Sequence, residues 1–166
     1  MDHLWSPWRT RHVADWSRRA PDEGSSLFER LLAEERDEEN LILWRGDHCF
    51  VILNLYPYNN GHLMIVPNRR VGTYTELTRE ERHEIADTID QAMGWLSHAL
   101  SPDGFNVGVN QGEAAGAGIP DHLHVHVLPR WTSDTNFMPA TAGTKVIPEA
   151  LGDTYRKLRD AVEACR

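Results

Sequence analysis

Apolar residues recur along the chain with two periods, which predict separate helices and strands. Short apolar runs rich in strand formers and bounded by turn residues predict five strands, and longer amphipathic segments predict three helices. Hairpin-linked strands with helices kept separate from them indicate an α+β fold with an antiparallel sheet. The predicted helices are 25–39, 78–100 and the segment from Pro148 onward, and the predicted strands are 41–44, 50–53, 62–66, 104–110 and 122–130.

Capping residues and apolar stripes define the two later helices. Thr78-Arg-Glu-Glu81 is a capping box, in which a hydroxyl and a carboxylate bond the free N–H groups of a helix start. Pro148 suits the first position of the last helix, because a proline there lacks only an N–H that has no partner in the helix. The two apolar stripes are Ile85, Ile89, Met93 and Leu96 on the long helix, and Leu151, Tyr155, Leu158 and Val162 on the last one.

The first 24 residues differ in character from the rest of the chain. They are polar and loop-like, yet they contain Trp5, Trp8 and Trp16, which favour burial. We interpret 1–24 as an N-terminal arm that packs on the body or on a second subunit, with direct substrate contact as the alternative. Residues 25–166 form a single predicted domain, with a C-terminal extension from about 132, and 166 residues allow a sizeable core.

Charge and cysteine content restrict the partners and the compartment. The formal net charge of −8 disfavours binding to the backbone of a long nucleic acid. The two cysteines, Cys49 and Cys165, form neither a disulfide framework nor a C-x-x-C pair, so a reducing cytoplasm is expected. The sequence has no signal-peptide pattern and no apolar stretch near the ~20 residues that span a bilayer, so no membrane partner is expected.

Three histidines alternate with apolar residues in His122-Leu-His-Val-His-Val-Leu-Pro129. Because side chains alternate between the faces of a strand, His122, His124 and His126 share one face, about 7 Å apart along the strand. Imidazoles titrate near neutrality, so one can attack, one can hold a tautomer and one can donate a proton. A three-histidine metal site and ordinary structural histidines are the alternatives.

A Gly/Ala-rich loop precedes the histidines, from Gln111 to Pro120. Glycine lets backbone N–H groups approach an anion without interference from a Cβ atom. A plain connector would have the same composition. Its position directly before three imidazoles favours a phosphate-binding loop.

These residues resemble the histidine-triad (HIT) superfamily, whose motif is H-φ-H-φ-H-φ-φ. The resemblance extends to Asn54-Leu-Tyr-Pro-Tyr-Asn-Asn-Gly-His62 and to Phe105-Asn-Val-Gly-Val-Asn110, and covers about residues 40–131. The flanking segments Leu4-Trp-Ser-Pro-Trp-Arg9 and Asp134-Thr-Asn-Phe137 are similar to the bacterial branch that contains diadenosine tetraphosphate phosphorylase. The resemblance implies a HIT-like antiparallel sheet of about five strands with one long helix and a C-terminal helix.

The resemblance also implies a role for each site residue. The middle histidine of the motif, His124, would attack the α-phosphorus and form a nucleotidyl-histidine. His126 would contact the α-phosphate and assist the leaving group, and His122 and His62 would orient the nucleophile. The remaining expected substrate contacts are Asn54 to the ribose hydroxyls, and Asn110, Gly116, Ala117 and Gly118 to the phosphates.

Two departures from the family pattern bear on substrate and metal. Many relatives carry Ser or Thr near the end of the phosphate loop, whereas Gly116-Ala-Gly-Ile119 has no hydroxyl, which leaves recognition of inorganic phosphate open. Many relatives bind structural zinc through an N-terminal C-x-x-C, where this chain has Ser26-Leu-Phe-Glu29. We therefore expect no metal and no cofactor.

The resulting hypothesis is an enzyme that cleaves a dinucleoside polyphosphate, such as diadenosine tetraphosphate, through a covalent nucleotidyl-histidine. A hydrolase, a phosphorylase that uses inorganic phosphate and a nucleoside phosphoramidase all fit the sequence. The same residues also suit a non-enzymatic nucleotide-binding module or a metal-dependent hydrolase. A homodimer is expected from the resemblance.

Overall fold

The computed structural model describes residues 24–135 and 147–165. The predicted N-terminal arm, apart from Gly24, therefore lies outside the described residues, as does the middle of the predicted extension. The domain boundaries remain predictions.

The described residues contain one five-stranded antiparallel sheet, with the spatial order β1-β2-β3-β5-β4. Residues 46–48 form the turn between the first two strands. The predicted antiparallel α+β fold is confirmed. The strands are β1 Ile42–Arg45, β2 Cys49–Leu53, β3 Leu63–Pro67, β4 Gly104–Val109 and β5 Val125–Arg130.

Helices cover both faces of this sheet. The long α2 (Arg79–Leu100) and α3 (Leu151–Ala164) pack on one face, where they enclose the larger apolar core. The short α1 (Leu27–Ala33) covers the other face, where Phe28 packs against a smaller cluster that includes Phe50. Residues of β2 and β3 are buried throughout, because both faces of these central strands are covered.

The predicted capping box at Thr78 is present and begins α2. The Thr78 hydroxyl accepts the Glu81 N–H, and the Glu81 carboxylate accepts the Thr78 N–H. The predicted stripe is partly correct, because Ile85 and Leu96 are buried whereas Ile89 and Met93 are only half-buried. Among the described residues, no helix combines the length and apolarity needed to cross a bilayer.

Several predicted boundaries were wrong. The first helix ends at Ala33 rather than at residue 39, since Glu35 has a left-handed φ of 52° and the residues beyond it form turns. The last helix begins at Leu151, with Ala150 as its N-cap, so Pro148 precedes the helix instead of occupying its first position. The third strand begins at Leu63 rather than at residue 62, and it includes Pro67.

The last strand also begins later than predicted, at Val125 rather than at residue 122. The Leu123 N–H donates to the Val71 carbonyl instead of joining the ladder. His122 and His124 therefore lie in the extended segment that leads into β5.

Gly61 is needed where the chain enters β3. Its φ is +72°, a left-handed conformation that side chains with a Cβ rarely adopt. A Cβ at this position would also lie 2.5 Å from Leu100 Cδ1 and 3.3 Å from Pro129 Cγ. The glycine thus lets the turn of residues 54–61 pack closely on α2 and β5 and deliver His62 into the sheet.

Replacing Gly61 with Ala should lower the free energy of unfolding by about 1–3 kcal/mol, because the variant combines a strained φ with a steric overlap. Gly94→Ala is the matched control: Gly94 lies in α2 with no atom near its would-be Cβ. That change should raise the free energy of unfolding by about 0.5–1 kcal/mol. Denaturant unfolding measures both, and equal effects of the two substitutions would contradict this account of Gly61.

Candidate functional site

The alternation predicted for the histidine run is confirmed even where the segment precedes the ladder. Leu123, Val125 and Val127 are buried in the core beneath α2 and α3. His122, His124 and His126 therefore face the opposite side of the sheet, the side covered by α1. All three are buried, with exposed fractions of 0%, 5% and 6%.

Both ring nitrogens of His122 are hydrogen-bonded. Its Nε2–H donates to the Pro67 carbonyl oxygen at 2.9 Å, and because that oxygen can only accept, the proton lies on Nε2. Nδ1 carries the lone pair and lies 2.5 Å from the Ser26 hydroxyl, which therefore donates to it. The ring is thus held in one neutral tautomer.

The Nδ1 atom of His124 is fixed by the backbone of the preceding histidine. Nδ1–H donates to the His122 carbonyl oxygen at 2.9 Å, and a carbonyl cannot donate in return. The lone pair of neutral His124 therefore lies on Nε2. An imidazole with this tautomer presents a nucleophilic nitrogen on the side of the ring remote from its backbone contact.

His62 and His126 form a second pair, joined from Nε2 of His62 to Nδ1 of His126 at 2.9 Å. The Tyr58 backbone N–H donates to His62 Nδ1 at 3.1 Å, so His62 Nδ1 accepts and Nε2 carries the proton. Nε2–H of His62 then donates to His126 Nδ1, and the proton of His126 lies on its Nε2. The rings of His126 and His124 are 4.9 Å apart, edge to face, so a proton donor stands beside the candidate nucleophile.

His62 therefore orients His126, the ring to which its Nε2 is bonded. Sequence reasoning placed His62 around the nucleophile, and the geometry instead gives it a place one ring away. Asn54, the other expected residue of this segment, lies next to His62. Its amide nitrogen donates to His62 Nδ1 at 3.3 Å, and its oxygen accepts the Tyr56 N–H, as in an Asx turn.

Two aromatic residues that the sequence analysis did not identify contact the imidazoles. Tyr58 stacks on His126 with ring centroids 5.6 Å apart, and its ring also lies 4.4 Å from His62. Phe28 on α1 contacts His122 and His124, at 5.3 and 5.5 Å. Nothing in the sequence pattern around Tyr58 or Phe28 distinguishes a residue of the site from an ordinary turn or core residue.

Ser26 was missed as a partner of His122, although its sequence carried a signal. Ser26-Leu-Phe-Glu29 has the same capping-box pattern as Thr78-Arg-Glu-Glu81, and the structure has a capping box there. The pattern reveals a helix start, and only the fold places that start against a histidine 96 residues away.

The expected phosphate loop follows β4 and lies beside the histidines. Val109 pairs with Val125, which brings Asn110 next to the chain at His124. Within the loop, the N–H of Gly116 donates to Glu113 and the N–H of Ala117 donates to Gly112, at 2.9 and 3.3 Å. A phosphate bound by these two amides would have to displace contacts internal to the loop.

The imidazole nitrogens do not converge as ligands of one metal ion. The nitrogens of His122 bind Ser26 and Pro67, whereas His62 and His126 bind each other. In residues 24–135 and 147–165 no three His, Cys, Asp or Glu side chains are arranged to hold a metal ion. Three other histidines, His48, His83 and His98, are all exposed.

The five-stranded antiparallel sheet and the three buried histidines on one of its faces are the features of a histidine-triad protein. A family model described as the HIT domain matches residues 35–133, and the chain belongs to that family. The family inferred from the motif is thereby confirmed.

The chain is also similar to individual proteins of this family. An AP-4-A phosphorylase of Mycobacterium tuberculosis (strain CDC 1551 / Oshkosh) is 42% identical over 161 residues, which cover 95% of this chain and 83% of that protein. A bis(5'-adenosyl)-triphosphatase of Saccharomyces cerevisiae (strain YJM789) is 29% identical over 105 residues, 63% of this chain and 48% of that protein. A solved structure, a zinc-bound histidine triad family protein from Mycobacterium smegmatis, matches with a TM-score of 0.68 at 20% identity. It covers 84% of this chain and 94% of that chain, and at this identity it supports the fold alone.

Burial lowers the pKa of His122 and of His124 below the ordinary value of 6.5, since desolvation disfavours the imidazolium. Well above pH 6.5 both rings are neutral in the folded and the unfolded chain. As the pH falls through 6.5, the unfolded chain binds protons that the folded protein does not. The free energy of unfolding is therefore highest well above pH 6.5, with respect to these two rings, and decreases until the pH reaches their folded pKa.

Ring titration by NMR should give midpoints below 6.5 for both histidines. The free energy of unfolding should decrease from about pH 7.5 to about pH 5.5, and His124→Asn should reduce that decrease by removing one titrating ring. His83→Asn, which replaces an exposed histidine, is the control for the loss of an imidazole. Midpoints at or above 6.5 would contradict the assignment of both rings as neutral.

Proposed function

We propose that the protein cleaves dinucleoside polyphosphates by double displacement, with His124 as the nucleophile. The observation that carries the proposal is the hydrogen bond from His124 Nδ1–H to the His122 carbonyl, which leaves the lone pair on Nε2. Its relatives support the substrate class, since one is named AP-4-A phosphorylase and another bis(5'-adenosyl)-triphosphatase. A nucleoside phosphoramidase would use the same residues, and only the names of the relatives favour dinucleoside polyphosphates over it. A metal-dependent hydrolase has less support, because no three His, Cys, Asp or Glu side chains among the described residues are arranged to hold a metal ion.

In the first step, His124 Nε2 attacks the α-phosphorus, and the bond from that phosphorus to the bridging oxygen breaks. His126 Nε2–H donates a hydrogen bond to the departing oxygen, which leaves as a polyphosphate anion, and His62 keeps the proton of His126 on Nε2 through its own bond to Nδ1. A nucleotidyl-His124 and a shortened nucleotide result. In the second step, an oxygen of hydrogen phosphate or water attacks the phosphorus, the N–P bond breaks, His124 Nε2 regains its lone pair, and the proton of the attacking oxygen is released to solvent.

Asn54 and the loop from Asn110 to Gly118 are proposed to bind the substrate. Asn54 stands beside His62, at the edge of the histidine face, where a ribose can reach its amide. Asn110 follows the strand that pairs with β5, so its amide can reach a phosphate held at His124. Gly116, Ala117 and Gly118 would contribute backbone N–H groups to the polyphosphate, with those of Gly116 and Ala117 released from their bonds to Glu113 and Gly112 when the substrate binds.

Inorganic phosphate is the proposed second substrate, because the phosphorylase relative aligns over 95% of this chain. A hydrolase is the second candidate, since Gly116-Ala-Gly-Ile119 offers no hydroxyl for that phosphate. The reaction products separate the two. Diadenosine tetraphosphate and inorganic phosphate give ADP and ATP in a phosphorylase, whereas water gives AMP and ATP in a hydrolase.

His124→Ala should abolish turnover of diadenosine tetraphosphate, a loss of about 10³-fold or more, because it removes the nucleophile. The wild type should give a nucleotidyl adduct on His124 by intact mass, and ADP only when phosphate is supplied. His83→Ala should leave turnover unchanged, since His83 is exposed on α2. Turnover by His124→Ala at the wild-type rate would disprove the nucleophile. AMP as the product, with or without phosphate, would make the protein a hydrolase.

A homodimer through β4 is also proposed. β4 is one of the two edge strands of the described sheet, and Val107 and Val109 are 45% and 36% exposed. Val107 pairs with Val127, so these side chains lie on the face that carries α2 and α3, beyond the strands that α2 covers. A second copy would cover both the apolar side chains and the outer edge of β4.

A cytoplasmic location is likewise proposed, supported by Cys49 and Cys165, which are both free thiols.

Val107→Lys should convert the dimer to a monomer, because a charge would enter the apolar interface. Ala33→Lys, on the exposed side of α1, should leave the dimer intact. Sedimentation velocity measures both variants. A monomeric wild type, or a dimeric Val107→Lys variant, would exclude this interface.

A further inference from the structure

Ser26 is bonded to two parts of the molecule at the same time. As the N-cap of α1, its hydroxyl accepts the Glu29 N–H at 3.2 Å. The same hydroxyl lies 2.5 Å from Nδ1 of His122, 96 residues further along the chain. Ser26 is 5% exposed and His122 is fully buried, so water does not compete for this contact.

The direction of the contact between Ser26 and His122 follows from the other bonds of each group. The Pro67 carbonyl accepts from His122 Nε2–H, so Nδ1 is an acceptor and the Ser26 O–H must donate to it. The lone pairs of that hydroxyl remain available for the Glu29 N–H. The two roles of Ser26 are therefore compatible, and each uses a different part of the hydroxyl.

Glu29 ties this helix start to both segments around His122. One carboxylate oxygen accepts the Ser26 N–H at 2.8 Å, and the other accepts the Arg70 N–H at 3.1 Å. The Arg70 guanidinium in turn pairs with Asp121, the residue before His122. The start of α1, the segment after β3 and the start of the histidine run thus form one closed ring of hydrogen bonds.

We propose that Ser26 is a positioning residue for the nucleophile, acting through His122. The Ser26 hydroxyl and the Pro67 carbonyl bond opposite sides of the His122 ring. The backbone carbonyl of His122 in turn accepts His124 Nδ1–H. Phe28, two residues after Ser26, contacts both rings from α1. This inference rests on the proposed function, because it assigns His124 as the attacking group.

The capping box at Thr78 provides the comparison that separates positioning from helix stability. Thr78 and Glu81 make the same reciprocal bonds as Ser26 and Glu29, but the Thr78 hydroxyl has no bond to a histidine among the described residues. Loss of either hydroxyl removes a cap. Only loss of the Ser26 hydroxyl also removes a donor to His122.

The test compares Ser26→Ala, Ser26→Gly, Ser26→Thr and Thr78→Ala. Ser26→Ala and Ser26→Gly should slow formation of the nucleotidyl-His124 adduct and lower kcat about tenfold, with KM nearly unchanged. Ser26→Gly is included because glycine is an acceptable N-cap, so this variant should fold even if Ser26→Ala does not. Ser26→Thr keeps the hydroxyl and should restore kcat, whereas Thr78→Ala should lower Tm and leave kcat unchanged.

Nitrogen-15 NMR of the imidazoles provides a readout independent of turnover. In the wild type, His122 Nδ1 should have the shift of an unprotonated nitrogen that accepts a hydrogen bond. Ser26→Ala and Ser26→Gly should move that resonance to the position of a nitrogen without a donor, and Thr78→Ala should not.

The outcomes separate this inference from the proposed function. Wild-type protein that forms no adduct would refute the proposed function, while the His122 resonance would still decide whether Ser26 donates to it. Ser26 variants that lose Tm but keep kcat, as Thr78→Ala should, would overturn the positioning role. An unchanged Nδ1 resonance would overturn it as well.

Discussion

The site depends on the burial of Leu123, Val125 and Val127 beneath α2 and α3. Because strand side chains alternate, this apolar face leaves three imidazoles on the opposite side, under α1. A shift of the segment by one residue would move the histidines into the larger apolar core and the aliphatic residues to the face beneath α1, so the core itself specifies the register. The histidine face is thus a consequence of the same packing that stabilises the sheet.

The ring nitrogens of buried imidazoles need hydrogen-bond partners, and in this site backbone groups supply several of them. The carbonyl of Pro67 accepts from His122, the carbonyl of His122 accepts from His124, and the amide of Tyr58 donates to His62. Each of these groups can act in only one direction, so each selects a tautomer. Two imidazoles of the same type consequently differ in role, with an unprotonated Nε2 on His124 and a protonated Nε2 on His126.

Much of the fold could be predicted because its signals are local. The five strands follow from short apolar runs, and α2 follows from the capping box at Thr78. The ends of elements were less accurate: β5 begins at Val125 because Leu123 bonds to Val71, a contact with no trace in the local pattern. The equivalent capping box at Ser26 was readable in the sequence, but its contact with His122 was not, because that contact depends on how α1 packs across the sheet.

Residue type and a period of two need no tertiary contact, so the sequence alone establishes which residues form the histidine run and that they share one face. It also establishes the family, through a spaced set of histidines, asparagines and glycines. For His122 and His126, the nitrogen that holds the proton is settled by tertiary contacts. The partners that settle it are distant in the chain: Pro67 is 55 residues from His122, and His62 is 64 residues from His126. A hydrogen bond between such positions exists only once the helices and strands have packed.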